Sequence, residues 1–421
     1  MKAAQHSQQS SQTTIKVYQP WIIRLARKLV LNKMRVIAIG QLVIEEGGES
    51  YQFGLPSGQA GVSAHIKVQD GSAYVQVLLN GTIGSGEAYM QGAWTSPNLL
   101  NVIRLMVDNM SLIEDMDGRW SHLPRMLLRS LHYLNSNNRR GSRKNIAAHY
   151  DLGNDFFKLF LDKTMLYSSA IFPSAHTTLY EASLNKMEHV CRKLQLKPSD
   201  HLLEIGTGWG GMAIYAAKQS GCRVTSATIS EEQYEYARLW VEREGLQDKV
   251  TILLQDYRDL QGQYDKLLSI EMVEAVGHEF HREFFSTCSQ LLKEDGLMLM
   301  QAITIQDQRY QQYRKEVDFI QHYIFPGGCL PSNQVVAYHV ATATDMQIVC
   351  LEDITEHYAR TISYWRRAFF KYIDKVRALG FDERFIRMWE FYLCYCEGGF
   401  MQRVISTAQF TFAKPRYLGG F

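Results

Sequence analysis

The chain has 421 residues, of which 46% are hydrophobic and 21% charged, with a formal net charge of +2. That length exceeds one ordinary domain, and the composition excludes a mostly disordered chain. Near-neutral charge argues neither for nor against nucleic acid as a whole-molecule effect, and no nucleic-acid partner is expected.

Residues 1–14 are polar and rich in Gln and Ser, which reads as a disordered tail and not as a signal peptide. Residues 15–134 read as a small α+β domain. It opens on an amphipathic helix over 21–32 and continues through short alternating runs at 65–68 and 73–78, expected as antiparallel strands. An apolar helix is expected over 99–107. Arg24, Arg27, Lys28, Lys33 and Arg35 form one basic cluster, and Arg139, Arg140, Arg143 and Lys144 a second. Such clusters are ordinarily solvated faces; the sharper reading is contact with an anionic bilayer. Apolar runs such as 34–44 fall short of the roughly 18 residues that span a membrane. Residues 135–145 read as a linker.

Residues 146–421 form the larger domain. Strand-length apolar runs at 201–205, 223–228, 250–254, 266–270 and 297–303 are separated by helical patterns such as 231–244 and 282–292. That alternation implies a mostly parallel sheet with right-handed crossovers. Aromatic-rich helical patterns dominate about 306–400, and 405–413 is strand-like. The seven cysteines are scattered without a C-x-x-C pair, which fits a reduced, cytoplasmic compartment.

The sharpest signal is Leu202-Leu203-Glu204-Ile205-Gly206-Thr207-Gly208-Trp209-Gly210-Gly211, a strand, a Gly-rich turn and a helix start. Gly206, Gly208 and Gly211 also satisfy a loose G-x-G-x-x-G, so a dinucleotide must be weighed. Glu204 argues against it, because a carboxylate there repels a pyrophosphate but attracts the cationic end of S-adenosylmethionine. The acid that dinucleotide binders place about 20 residues on is also missing. The fold class is therefore α/β, a class I (Rossmann-like) methyltransferase fold. In place of a ribose-binding acid stand Thr228, Ser230 and Gln233, neutral groups able to hydrogen-bond hydroxyls. Asp256 and Tyr257, after the next strand, suit an adenine amine and ring.

The chain resembles the cyclopropane fatty acid synthases, a group that includes the mycolic acid cyclopropane synthases. The resemblance rests on Ala148-His149-Tyr150-Asp151-Leu152-Gly153-Asn154, Met165-Leu166-Tyr167-Ser168, the Gly-rich loop, Leu254-Gln255-Asp256-Tyr257-Arg258-Asp259, Met272-Val273-Glu274-Ala275-Val276-Gly277 and Phe325-Pro326-Gly327-Gly328-Cys329-Leu330-Pro331. It implies methyl or methylene transfer from S-adenosylmethionine to the double bond of unsaturated acyl chains in phospholipids. Tyr150, Tyr167 and Ser168 would help hold the cofactor's methionine part. Bound bicarbonate would act as base, held by Glu274, Tyr358, the amide of Ile303 and two departures from the usual pattern: Ser169 where a Cys is usual and Gln301 where a His is usual. Gln301 cannot titrate. Proton loss from a neighbouring chain carbon would leave a methyl-branched or methylene product instead of a ring. The resemblance also implies peripheral attachment to the inner membrane face and a homodimer formed through the N-terminal domain.

Two other readings compete: methyl transfer to a small soluble acceptor, and a non-catalytic lipid-binding protein. His278-Glu279-Phe280-His281 misses the H-E-x-x-H spacing by one residue, and no metal is expected. Tyr364, Trp365, Phe369, Phe370, Tyr372, Trp389, Phe391, Tyr392 and Tyr395 have helical spacing. They are read as helix packing, with part of the series available to line an acyl channel.

Overall fold

A computed structural model describes residues 19–55, 61–110 and 152–420. The tail 1–14, the linker 135–145, the second basic cluster and Tyr150 lie outside the described residues.

The N-terminal unit opens with α1 (Pro20–Met34), whose first turn accepts proline because no helical partner is lost there. Strands β1 (Gln41–Glu46), β2 (Glu49–Gly54) and β3 (Ser63–Val68) follow, then helix α2 (Ser72–Met90), the short β4 (Trp94–Thr95) and α3 (Leu99–Asp108). The sheet order is β2-β1-β3-β4. Two sequence expectations fail here. The run 73–78 lies in α2 and is not a strand. The strands are also not all antiparallel, since β1 pairs with β3 in parallel. The first has a local cause. Val75, Val77 and three glycines give α2 poor intrinsic helix propensity, and tertiary packing overrides it. At Gly81 the backbone takes φ 54°, ψ −128°, kinking the helix where other residues would be strained.

The larger unit contains α4 (Leu179–Lys193), β5 (His201–Ile205), α5 (Gly211–Ser220), β6 (Arg223–Thr228), α6 (Glu231–Arg243), β7 (Val250–Leu254), β8 (Tyr264–Ile270), α7 (His281–Leu291) and β9 (Leu292–Ile305). After short helices come α8 (Asn333–Ala343), β10 (Gln347–Asp353), α9 (Thr355–Lys371), α10 (Glu383–Met401) and β11 (Ile405–Ala413). The sheet order is β10-β11-β9-β8-β5-β6-β7. Pairs between β9 and β7 are parallel, while β10 and β11 close the edge antiparallel. β10 falls in a stretch expected to be helical. Leu297, Met298, Leu299 and Met300 are all fully buried, as a strand covered on both faces requires.

The two units share one apolar core. α10 packs on α2 and α3. The Tyr89 hydroxyl donates to Glu390 at 2.6 Å, and that of Tyr323 to Glu87 at 2.8 Å. A Cβ on Gly86 would stand 2.6 Å from the ring of Phe319, so only glycine permits this approach. Leu79, Ile83, Val107 and Met110 of the N-terminal unit thereby become one wall of a cavity whose opposite wall is the Gly-rich loop.

Candidate active site

The cavity, about 450 Å³, opens at the carboxyl ends of β5, β6, β7 and β8, where α/β sheets bind ligands. Gly206 turns away from β5 at φ 99°, in the left-handed region, and lines the cavity with Gly208. Gly210 packs instead against Ala237, where a Cβ would come within 2.9 Å. Gly210 therefore positions the loop without reaching the cavity wall.

Glu204 is almost wholly buried and faces the cavity. Its Oε2 accepts from the Ser226 hydroxyl at 2.5 Å. Burial pushes its carboxyl up to about 8, against the pull of Ser226 and the Lys186 charge. Such a group regains its charge only beside a cation, as an S-adenosylmethionine ammonium would supply. Thr228 and Gln233 line the cavity and bond each other, Oγ1 to Oε1, at 2.9 Å. Ser230 does not reach it: its hydroxyl caps α6 by accepting from the Gln233 amide at 3.3 Å. Asp256 and Tyr257 line the far end, with Asp256 clamped by Arg258 at 2.7 Å. Tyr167 and Ser168 line the near end, and the Tyr167 hydroxyl lies 2.7 Å from that of Tyr392. Thr228, Gln233, Asp256, Tyr257 and Glu204 thus all line one cavity.

Beyond Glu204 the cavity meets a second polar cluster. Sequence reasoning named Glu274, Tyr358, Ser169, Gln301 and Ile303, and the fold does bring these five together. It missed the group that joins them. Glu271, the first residue after β8, is half-buried with φ 48°. Its Oε1 accepts from the Ser169 amide at 2.9 Å and from Gln301 Nε2 at 2.7 Å; its Oε2 accepts from the Tyr358 hydroxyl at 2.6 Å. Glu274 accepts from the Ile303 amide through Oε1, while its buried Oε2 has no protein partner among the described residues. Burial and the Glu271 charge push Glu274 up to about 8. Lys186, buried and lowered to about 8, donates to the Ser168 hydroxyl at 2.7 Å and feels Glu271, Asp162 and Glu204. A lysine on an amphipathic helix gives no sequence signal of such a place.

The aromatic series divides as its helical spacing suggested. Trp365, Phe369, Trp389 and Phe391 pack in the core, while Tyr392 and Tyr395 line the cavity. Tyr358 stacks on Phe400 at 4.4 Å, and both line it too. With Ile303, Ile305, Ile320 and Val404 they make an apolar passage beside the two carboxylates. His278 bonds Tyr310 at 2.6 Å, and His281 is buried with its ring pushed down to about 3 by burial.

The profile of the family described as mycolic acid cyclopropane synthetase matches residues 137–410. This chain belongs to that family. It is 38% identical over 353 residues to the tuberculostearic acid methyltransferase UfaA1 of Mycobacterium tuberculosis, covering 80% of this chain and 79% of that protein. It is 36% identical over 360 residues to the cyclopropane-fatty-acyl-phospholipid synthase of Escherichia coli K12, covering 83% and 88%. The mycolic acid cyclopropane synthase CmaA1, solved with SAH and CTAB, superposes with a TM-score of 0.61 at 32% identity, covering 65% of this chain and 98% of that one. As a cyclopropane synthase family member, the protein is an S-adenosylmethionine-dependent methyltransferase whose acceptors are fatty acyl chains.

In this cyclopropane synthase family member the Tyr358 hydroxyl hydrogen-bonds only Glu271 among the described residues. Tyr358→Phe is expected to lower the methyl-transfer kcat about 10-fold, one lost hydrogen bond to a charged group, and to leave KM for the lipid unchanged. Initial rates over a range of lipid concentrations check this; an effect confined to KM contradicts it.

Proposed function

We propose that the protein transfers the S-adenosylmethionine methyl group to the double bond of an unsaturated fatty acyl chain esterified in a membrane phospholipid, closing a cyclopropane ring. The observation that carries this reading is the meeting, in one cavity, of a cation pocket, an apolar aromatic-walled passage and a half-buried carboxylate pair. When bound, S-adenosylmethionine supplies an electrophilic methyl group. Glu204 would hold its ammonium end, Thr228 and Gln233 its hydroxyls, and Asp256 with Tyr257 its base. An isolated alkene is a weak nucleophile, and its methylation leaves positive charge on the adjacent chain carbon. The faces of Tyr358, Tyr392 and Phe400 suit that charge, and the apolar wall keeps water from it. A base must then remove a proton.

The acceptor's source is proposed from the surface. On α1, Trp21 is 62% and Leu25 50% exposed, beside exposed Arg24 and Lys28. Apolar and basic side chains on one helix suit the boundary of an anionic bilayer. No helix among the described residues is long and apolar enough to cross a membrane. Docking from the cytoplasmic face, as a homodimer, completes the reading.

A second product has its own support. Ser169 and Gln301 replace the two residues expected around the base, and the 38% identical relative is named a tuberculostearic acid methyltransferase. Proton loss from a chain carbon would give a methylene or methyl-branched chain by the same first step. Incubating the protein with methyl-labelled S-adenosylmethionine and anionic vesicles of unsaturated phospholipid tests the proposal. Label in the lipid acyl fraction supports it; label confined to water-soluble product assigns a small soluble acceptor instead. Infrared or mass-spectrometric detection of the alkene in the labelled chain separates ring from branch.

A further inference from the structure

The structure assigns the proton-accepting role to the Glu271 side chain itself, in the place where the family resemblance puts bound bicarbonate. The inference rests on the methyl-transfer reading above and names its base.

Five groups were expected to hold bicarbonate: Ser169, Gln301, Tyr358, Glu274 and the Ile303 amide. Three of them are bonded to the Glu271 carboxylate. The other two, Glu274 and the Ile303 amide, are bonded to each other. The Ser169 hydroxyl is turned away, donating to the Ala170 carbonyl at 3.0 Å, so Ser169 contributes only its backbone amide. The Gln301 amide is fixed from behind. Its Oε1 accepts from Gln409 Nε2 at 3.0 Å, and Gln409 Oε1 accepts from Lys193 Nζ at 3.1 Å. That relay fixes the Gln301 amide with its NH₂ toward Glu271. Neither Ser169 nor Gln301 lines the cavity, whereas Glu271, Glu274, Ile303 and Tyr358 do. The donors expected to grip a free anion therefore stand behind a covalently attached carboxylate. The residues present do not fit bicarbonate.

The backbone carries the same message. Glu271 is one of few non-glycine residues with φ in the left-handed region, and its own amide donates to the Gln301 carbonyl at 2.7 Å. A side chain held there is strained, and such strain persists at functional sites because it aims the group. A carboxylate offers about four lone-pair directions. Among the described residues two on Oε1 and one on Oε2 are used, leaving one on Oε2 of a side chain that lines the cavity.

The step balances without a further reactant. The alkene π pair forms the new C–C bond as the S–CH₃ bond breaks and its pair stays on sulfur. The adjacent chain carbon becomes cationic. Glu271 Oε2 takes a proton from the new methyl group, and the released C–H pair closes the ring onto the cation. For the branched product it takes the proton from a chain carbon, and the pair forms an alkene. The carboxylic acid returns its proton to water after product leaves.

The test uses the full-length protein, its Glu271→Gln and Glu271→Gly variants, and isotopically labelled bicarbonate. Binding to the protein saturated with S-adenosylhomocysteine is followed by the carbon resonance of the label. The wild type should show no binding, and Glu271→Gly, which also relaxes the positive φ, should bind bicarbonate in the opened space. In bicarbonate-free buffer the wild-type rate on unsaturated phospholipid should equal the rate after bicarbonate is restored. Glu271→Gln should lose about 100-fold or more while still binding S-adenosylhomocysteine, and added bicarbonate should restore activity to Glu271→Gly alone. Bicarbonate binding by the wild type, or a wild-type rate that falls on its removal, overturns the inference and leaves the methyltransferase reading intact. Absence of lipid methylation with no bicarbonate binding sinks the proposed acceptor while the anion site still stands as assigned to Glu271.

Discussion

Glu204→Gln is expected to weaken S-adenosylmethionine binding roughly 1,000-fold while making the cofactor-free protein more stable at neutral pH. The two signs have one cause. Glu204 is buried and pushed up to about 8, so the folded protein holds its proton at pH values where the unfolded chain does not. A raised folded-state pKa gives stability that is complete below the unfolded value, near 4.5, and is lost as pH rises toward about 8. At pH 7 the difference amounts to about 3 kcal/mol, at the 1.36 kcal/mol carried by each pKa unit. Glutamine keeps the Ser226 hydrogen bond and has no proton to lose, so this pH-dependent penalty disappears. The same substitution removes the carboxylate that faces the cofactor's cation, and truncating one member of a buried charged pair costs about 4 kcal/mol. Calorimetric titration with S-adenosylhomocysteine and urea unfolding between pH 5 and pH 8 measure both effects. Wild-type binding should also release protons below pH 8. A variant with wild-type affinity, or one destabilised at pH 7, contradicts the assignment.

Lys186→Met is expected to lower methyl transfer about 100-fold near neutral pH and to move the rising limb of the kcat/KM profile to higher pH. Lys186 favours the charged forms of both Glu204 and Glu271, opposing the burial that raises them. It also donates to the Ser168 hydroxyl at the cofactor's end of the cavity. Removing the cation leaves both carboxylates more easily protonated, so fewer molecules carry a charged cofactor ligand and a free base together. Two such losses of about 10-fold each combine to the stated effect. The variant should still fold, because desolvation already holds the Lys186 ammonium down to about 8 and methionine is free of that cost. A profile of unchanged shape would show that Lys186 acts on neither carboxylate.

Much of the cofactor half of the site was legible in the sequence, because its residues are local. Glu204 and the glycines lie within a single strand–turn–helix, Thr228 ends a strand that the apolar runs already placed, and Gln233, Asp256 and Tyr257 follow the ends of such strands. Ser230 caps α6 and does not line the cavity, since a serine after a strand is as good an N-cap as a ligand. The base half is non-local. Ser169, Tyr358 and Gln301 stand 102, 87 and 30 residues from Glu271, and only folding joins them. Glu271 itself sits three residues before the motif carboxylate Glu274 and looks like a strand-end surface acid. The single available signal was the pair of departures at Ser169 and Gln301, which said that the anion site had changed without saying what had filled it. In the N-terminal unit, β-branched residues and glycines disguised α2, and β10 was hidden among helical aromatic patterns.

The central claim is methyl transfer from S-adenosylmethionine to acyl-chain double bonds. Its most direct test is mass spectrometry of membrane fatty acids from a host that lacks such enzymes, expressing the wild type or Glu204→Gln. The account predicts that monounsaturated chains gain one CH₂ with the wild type and stay unchanged with Glu204→Gln. Unchanged fatty acids in the wild-type host, with methyl label appearing only in water-soluble products, would contradict it.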